Sequence, residues 1–312
     1  SVALKLFTGI EKFEIMAIPF FILAGNFLTH GGVARRMINF ATAMVGHWHG
    51  GLGLAGVMAC ALFAAVSGSS PATVVAIGSI LLPAMVRQGF PDRFGAGVIT
   101  TSGALGILIP PSIVMVMYAV ATSGMSVQGP NGQAVTSASV GQLFVAGVIP
   151  GLLVIAMFMT YIAIWALINR EKMPPPDAGL SWVEKLGRLR LLLPTVLLIV
   201  AVIGSIYTGF ATATEAATLG VVGSLAIAWF SGSLSWENFK VSLYGATRTS
   251  CMIGFIIATA AFLSVVMGYA GIPRALAEWI GTMNLSAYQL IFALTILYLI
   301  LGCFLDGISM VV

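Results

Sequence analysis

Hydrophobic positions in this chain gather in long blocks, and polar positions fall mostly between the blocks. Apolar runs cover residues 15–30, 51–66, 141–168, 191–208, 212–231 and 249–269. None of them alternates with period two, so helices rather than strands are expected. Two regions depart from a simple run of spans. Residues 33–50 mix Arg35, Arg36, His47, Trp48 and His49 with apolar residues at helical spacing, the pattern of an amphipathic helix lying at a membrane interface. Residues 101–118 read TSGALGILIPPSIVMVMY, long enough for one span but with Gly103, Gly106, Pro110 and Pro111 at the centre. Two successive prolines remove donors and clash with the preceding turn, so the pattern predicts a broken helix over 95–125. Backbone groups freed at membrane depth cost several kcal/mol each unless they line a site or cavity.

A third departure is the short polar stretch VSGSSPAT at residues 66–73. It separates an apolar arm ending at residue 66 from another reaching Met85. Each arm is short for a full span of about 20 residues. The expectation is a re-entrant hairpin with Ser67, Gly68, Ser69 and Ser70 at its tip. Basic residues flank both sides, Arg35 and Arg36 before and Arg87 and Arg93 after, which suits entry and exit on one face.

Composition makes the membrane assignment firm. The chain is 59% hydrophobic and 8% charged, against about 25% charged residues in soluble domains. Its mean hydropathy is +1.04. The net charge of +4 is spread over the connections and sets orientation rather than a nucleic-acid surface. Residues 169–190 carry Arg170, Glu171, Lys172, Lys185, Arg188 and Arg190, so this loop is expected in the cytoplasm. The uncharged polar loop 126–140 is then expected outside. A loop with Trp236, Glu237 and Lys240 returns to the cytoplasmic side. Cys60, Cys251 and Cys303 lie in apolar segments without metal spacing and read as small buried hydrophobes.

The end of the chain echoes its beginning at an offset of 239 residues (271 − 32). Gly32-Val33-Ala34-Arg35 aligns with Gly271-Ile272-Pro273-Arg274, and Ser67-Gly68-Ser69-Ser70 with Asp306-Gly307-Ile308-Ser309. Five expected crossings separate the copies, and an odd number inverts the second, an arrangement used by transporters. The expected organisation is a first inverted repeat over 1–125, connecting spans and a cytoplasmic loop over 126–245, and the start of a second repeat over 246–312. The second copy contains no counterpart of Pro110 and Pro111, which the offset places near 349–350 (110 + 239 and 111 + 239), so the natural chain is expected to continue past Val312.

The run from Gly31 to Tyr118, above all SGSSPATVVAIGS and SGALGILIPPS, resembles the large membrane subunit of TRAP transporters (tripartite ATP-independent periplasmic transporters). TATEAA at 212–217 and GCFLDG at 302–307 are similar to later motifs of that family. The resemblance implies an all-α polytopic fold with inverted repeats, hairpins and broken helices working as an elevator. It implies uptake of an organic acid anion of the C4-dicarboxylate or sialic acid type, driven by Na+ across the bacterial inner membrane. It also implies a small membrane subunit and a periplasmic substrate-binding protein as partners. The family's sodium site maps onto Ser67, Ser70, Gly106, Ile109 and Pro111, with Gly307 assigned to the metal set beside the mapped acid, Asp306. A hard cation takes hydroxyl and carbonyl oxygens of this kind. Ser69, Ser112 and Asp306 are the candidate substrate contacts. Family members often have Pro between the two Thr of the TATE motif; here Ala213 stands there.

Two other readings compete. A membrane-embedded hydrolase with Ser67, Ser69 or Ser70 as nucleophile needs a nearby base, and the three histidines all lie between residues 30 and 49. A channel needs a filter repeat, and no such repeat is evident.

Overall fold

A computed structural model describes residues 11–122, 126–128, 134–136, 139–176, 179, 181–283, 285–305 and 307–311. A 3-10 turn at Phe13–Met16 leads into α1 (Ala17–His30), and the amphipathic α2 (Val33–Val45) follows. Helices α3 (Gly51–Ser67) and α4 (Ser70–Arg87) make the expected hairpin. Next come α5 (Asp92–Gly103), the single turn α6 (Leu105–Leu108) and α7 (Ile113–Thr122). The axis bends by 41° between α6 and α7, so the helix predicted over 95–125 is broken where the prolines fall.

The remaining elements are longer. They are α8 (Val140–Ile168), α9 (Trp182–Tyr207), α10 (Ala213–Phe230), α11 (Trp236–Tyr269), α12 (Ile272–Thr282), α13 (Ala287–Gly302) and the short α14 (Gly307–Val311). Five of the described helical stretches are long and apolar enough to cross a bilayer, and the chain is a multi-pass helical membrane protein.

Local chemistry sets the helix starts. Ser139, Ser181, Thr212 and Ser286 each form a reciprocal capping box, with Gln142, Glu184, Glu215 and Gln289 respectively. Each pair satisfies two backbone donors that the first turn would otherwise strand. These caps explain two departures from the expected boundaries. The charged loop 169–190 ends early, because Ser181 nucleates α9 and its basic residues ride on that helix's first turns. The loop expected around Trp236 is instead the start of α11, where Ser235 accepts a hydrogen bond from the Asn238 amide. The organisational boundary placed at 245/246 therefore falls inside one continuous helix. In the uncharged loop 126–140, β1 (Ser126–Gln128) and β2 (Ala134–Thr136) pair antiparallel, with Val127 opposite Val135. The two hairpin arms are of nearly equal length, 17 residues in α3 and 18 in α4.

The core has two centres. One surrounds α3, whose Leu54, Val57, Cys60, Phe63 and Ala64 are all buried. It packs against α2, α4, α5, α6 and α8. The apolar face of α2 (Val33, Met37, Ile38, Ala41, Val45) joins this centre while Arg35 and Asn39 stay exposed. The helix is amphipathic as its sequence predicts, but protein covers much of its apolar side. The second centre joins α1, α7, α10 and α11 around Ile18, Phe21, Met117 and Ala216. The tip of the hairpin lies where the two centres meet.

Candidate functional site

Only Gly68 and Ser69 separate the two helices of the hairpin. Helix α3 stops at Ser67 because Gly68 takes the left-handed conformation (φ 60°, ψ 12°). Ser69 is extended (φ −133°, ψ 121°), and Pro71 sits in the first turn of α4, where a missing N–H costs nothing. The hydroxyls then close the tip. The Ser67 and Thr73 hydroxyls lie 3.1 Å apart, and Thr73 Oγ1 donates to the Ser69 carbonyl at 2.9 Å. Both side chains are buried. The Ser70 hydroxyl is also shielded from solvent but has no hydrogen-bond partner among the described residues. A buried polar atom without a partner is costly, and this one stands in a cluster of neutral oxygens.

The break meets the tip directly. Ile109 leaves the helix in an extended conformation (φ −83°, ψ 125°), and the Pro110–Pro111 peptide is cis. The Ser112 hydroxyl donates to the Ile107 carbonyl and accepts from the Met115 amide at 3.4 Å. It caps α7 and ties the two sides of the break together. The Ile113 amide donates to the Gly68 carbonyl at 3.2 Å, from break to tip. Gly68 and Gly106 make this approach possible. A Cβ at Gly68 would collide with the Pro111 carbonyl oxygen. A Cβ at Gly106 would lie 2.7 Å from the Ser69 carbonyl carbon and 2.8 Å from the Ser70 nitrogen. Both contacts are backbone and cannot rotate away.

A cavity of about 600 Å³ opens beside this junction. Its lining includes Ser67, Ser69 and Ser70 of the tip, Ile107 and Val114 beside the break, and Asn26, Thr249 and Gly307. No charged side chain lines it among the described residues. Four of the sequence-predicted site residues, Ser67, Ser69, Ser70 and Gly307, therefore share one cavity. Gly106 and Pro111 stand behind the tip, against its backbone. Ile109 points elsewhere, toward Gly151 on α8. Ser112 is fully buried with its hydroxyl engaged and is not among the residues lining the cavity. Asp306 lies outside the described residues. Gly307 packs against Ile107 and Val114, so α14 meets the helix break.

Sequence reasoning missed Asn26, Thr73 and Thr249 as site residues. Asn26 lies in an apolar run, a placement that by itself marks a functional or structural amide. Its Nδ2 donates to the Ser242 carbonyl at 3.2 Å, and the Ser242 hydroxyl is 3.1 Å from His30 Nδ1. This cluster pins α1 to α11 beside the cavity. His30 is thereby bonded to Asn26 and Ser242 and is not paired with a tip serine.

The whole chain, residues 1–312, matches the family described as the DctM component of the tripartite ATP-independent periplasmic transporters. The chain belongs to the DctM family. It is 59% identical over 312 residues to the C4-dicarboxylate TRAP transporter large permease protein of Rhodobacter capsulatus, covering 100% of this chain and 70% of the relative. Identity to the protein of the same description from Pseudomonas aeruginosa is 44%, over 98% of this chain and 68% of the relative. An ectoine TRAP transporter large permease of Halomonas elongata is 32% identical over 98% of this chain and 68% of its own length. As a DctM-family permease the chain is a transport component and not an enzyme.

The TATE motif now has a role. In this DctM chain Thr212 is the N-cap of α10, its amide and hydroxyl both donate to Glu215 Oε2 at 2.8 Å, and the Glu215 amide returns a bond to the Thr212 hydroxyl. Ala213 is the first helical residue, the position where a proline is also accommodated. The capping box holds the turn with Ala there.

Proposed function

We propose that the chain is the permease of a sodium-coupled secondary transporter that takes up C4-dicarboxylates across the bacterial inner membrane. The observation that carries this reading is the junction of hairpin tip and helix break around a cavity with neutral oxygen groups. Serine hydroxyls and freed carbonyls are the donor set of a hard monovalent cation, and the unpartnered Ser70 hydroxyl suits such a ligand. Ser67, Ser70 and the backbone of Gly106, Ile109 and Pro111 are the proposed sodium set. The dicarboxylate would bind beside it, with Ser69 and the flanking Asn26 and Thr249 as neutral donors. The 59% and 44% identical relatives are both described as C4-dicarboxylate permeases, which favours that substrate over sialic acid.

Alternating access would follow an elevator motion in which α3 to α7 move as one unit, since tip and break are locked backbone to backbone. Matching left-handed glycines support two related halves. Gly32 (φ 71°, ψ 9°) and Gly271 (φ 71°, ψ 10°) each precede an amphipathic helix at the 239-residue offset. The partners proposed are a small membrane subunit and a periplasmic substrate-binding protein, as family membership suggests. The test is uptake of labelled succinate into proteoliposomes containing the natural full-length permease and its small subunit. Uptake should require an inward sodium gradient together with the binding protein. Uptake that persists at equal sodium on both sides, or without the binding protein, would overturn the reading.

A further inference from the structure

A second cavity, of about 520 Å³, lies between α5 and α8, away from the hairpin tip. Its lining is graded along its length. At one end stand Arg93 and Lys172, both exposed and neither in an ion pair with a described residue. No acidic residue lines the groove. The flanking ring pair Phe94 and Trp165 stacks with centroids 4.6 Å apart. Further in, the lining on α8 is Tyr161 and Phe158, while on α5 it ends at Thr101 and Ser102. Nine residues separate Arg93 from Ser102, about 14 Å of helix rise. The groove therefore starts among cations, passes an aromatic pair and continues uncharged into the membrane region. Arg93 and Lys172 belong to the basic stretches that mark the cytoplasmic side.

We propose that this groove is a binding site for one anionic phospholipid of the cytoplasmic leaflet. The lipid phosphate would rest between Arg93 and Lys172, and an acyl chain would lie over Phe94, Trp165, Tyr161 and Phe158. Charge complementarity selects this occupant. Two cations at one end of a helix–helix groove whose lining holds no acidic side chain recognise an anionic headgroup, and aromatic rings at that level accept the boundary between headgroup and acyl chain. A protein partner laid on the same groove would have to bury two uncompensated cations.

The test uses the full permease assembled with its small subunit and reconstituted with photoactivatable lipids. The lipids are phosphatidylglycerol and phosphatidylcholine carrying the same acyl-chain diazirine. After irradiation, peptide mass spectrometry counts adducts on residues 91–102 and 158–172. Phosphatidylglycerol should label these segments at least threefold more than phosphatidylcholine. The double variant Arg93→Gln, Lys172→Gln should lose that preference, while labelling of other lipid-facing helices stays unchanged and reports an intact fold. Equal labelling by both lipids would overturn the proposal and leave only bulk solvation. Absence of labelling by either lipid would show that a protein surface covers the groove. A preference surviving in the double variant would remove Arg93 and Lys172 as the headgroup site.

Discussion

Gly68 and Pro111 touch through their backbones, and no side chain fits between them. The first belongs to the hairpin tip and the second to the helix break, 43 residues later (111 − 68). This contact makes one object of two elements that are each incomplete alone. The tip has exposed carbonyls without a site, and the break has carbonyls without a helix. Together they enclose a cluster of neutral oxygens.

Gly68→Ala tests that contact. The left-handed conformation at Gly68 costs a substituted residue about 1–2 kcal/mol, and the added methyl meets the Pro111 carbonyl as well. Uptake should fall at least tenfold and the melting temperature should drop. Near-normal uptake by a normally folded variant would show that tip and break separate during the cycle without consequence.

Ser67 and Ser70 should respond differently to alanine. The Ser67 hydroxyl has a protein partner in Thr73, so Ser67→Ala removes a hydrogen bond worth about 1 kcal/mol. The Ser70 hydroxyl has no such partner, so Ser70→Ala should leave thermal stability unchanged. Both should raise the sodium concentration for half-maximal uptake severalfold. Unchanged sodium dependence in a normally expressed Ser70→Ala variant would remove Ser70 as a ligand.

Ser139 and Ser181 begin successive long helices, α8 and α9, and α8 rises about 43 Å between them. They should face opposite sides of the membrane. A single cysteine at Ser139 should react with an impermeant thiol reagent added outside spheroplasts, and one at Ser181 should not. Each change weakens a comparable cap by about 1 kcal/mol, so folding differences do not confuse the comparison. Reversed labelling would invert the orientation drawn from the basic residues.

Glu215 is assigned here to helix capping, not to ion or proton traffic. Gln fills the same capping position after Ser139 and Ser286, so Glu215→Gln should retain stability and uptake. Glu215→Ala should lower the melting temperature, because the Thr212 amide loses its acceptor. Loss of uptake in Glu215→Gln at unchanged stability would return the carboxylate to the mechanism.

By itself the sequence determined the elements whose causes are local. Long apolar runs have one solution in a bilayer, the helix, because every backbone group must be paired within the segment. Paired prolines break a helix wherever it is placed, so the break at Ile109–Ser112 was legible. So was the tip at Ser67–Ser70, where small polar residues interrupt two apolar arms. The caps at Ser181 and Ser235 are equally local, but the charge of the segments that follow them masks the helix starts. What only the tertiary structure decided was proximity. Nothing in residue spacing says that Gly68 meets Pro111, that Asn26 and Thr249 complete the cavity, or that Ser112 turns away from it. Those follow from how α1, α7 and α11 pack around the hairpin. Packing depends on side-chain shape across elements far apart in the chain, and one sequence read in order does not contain that distance information.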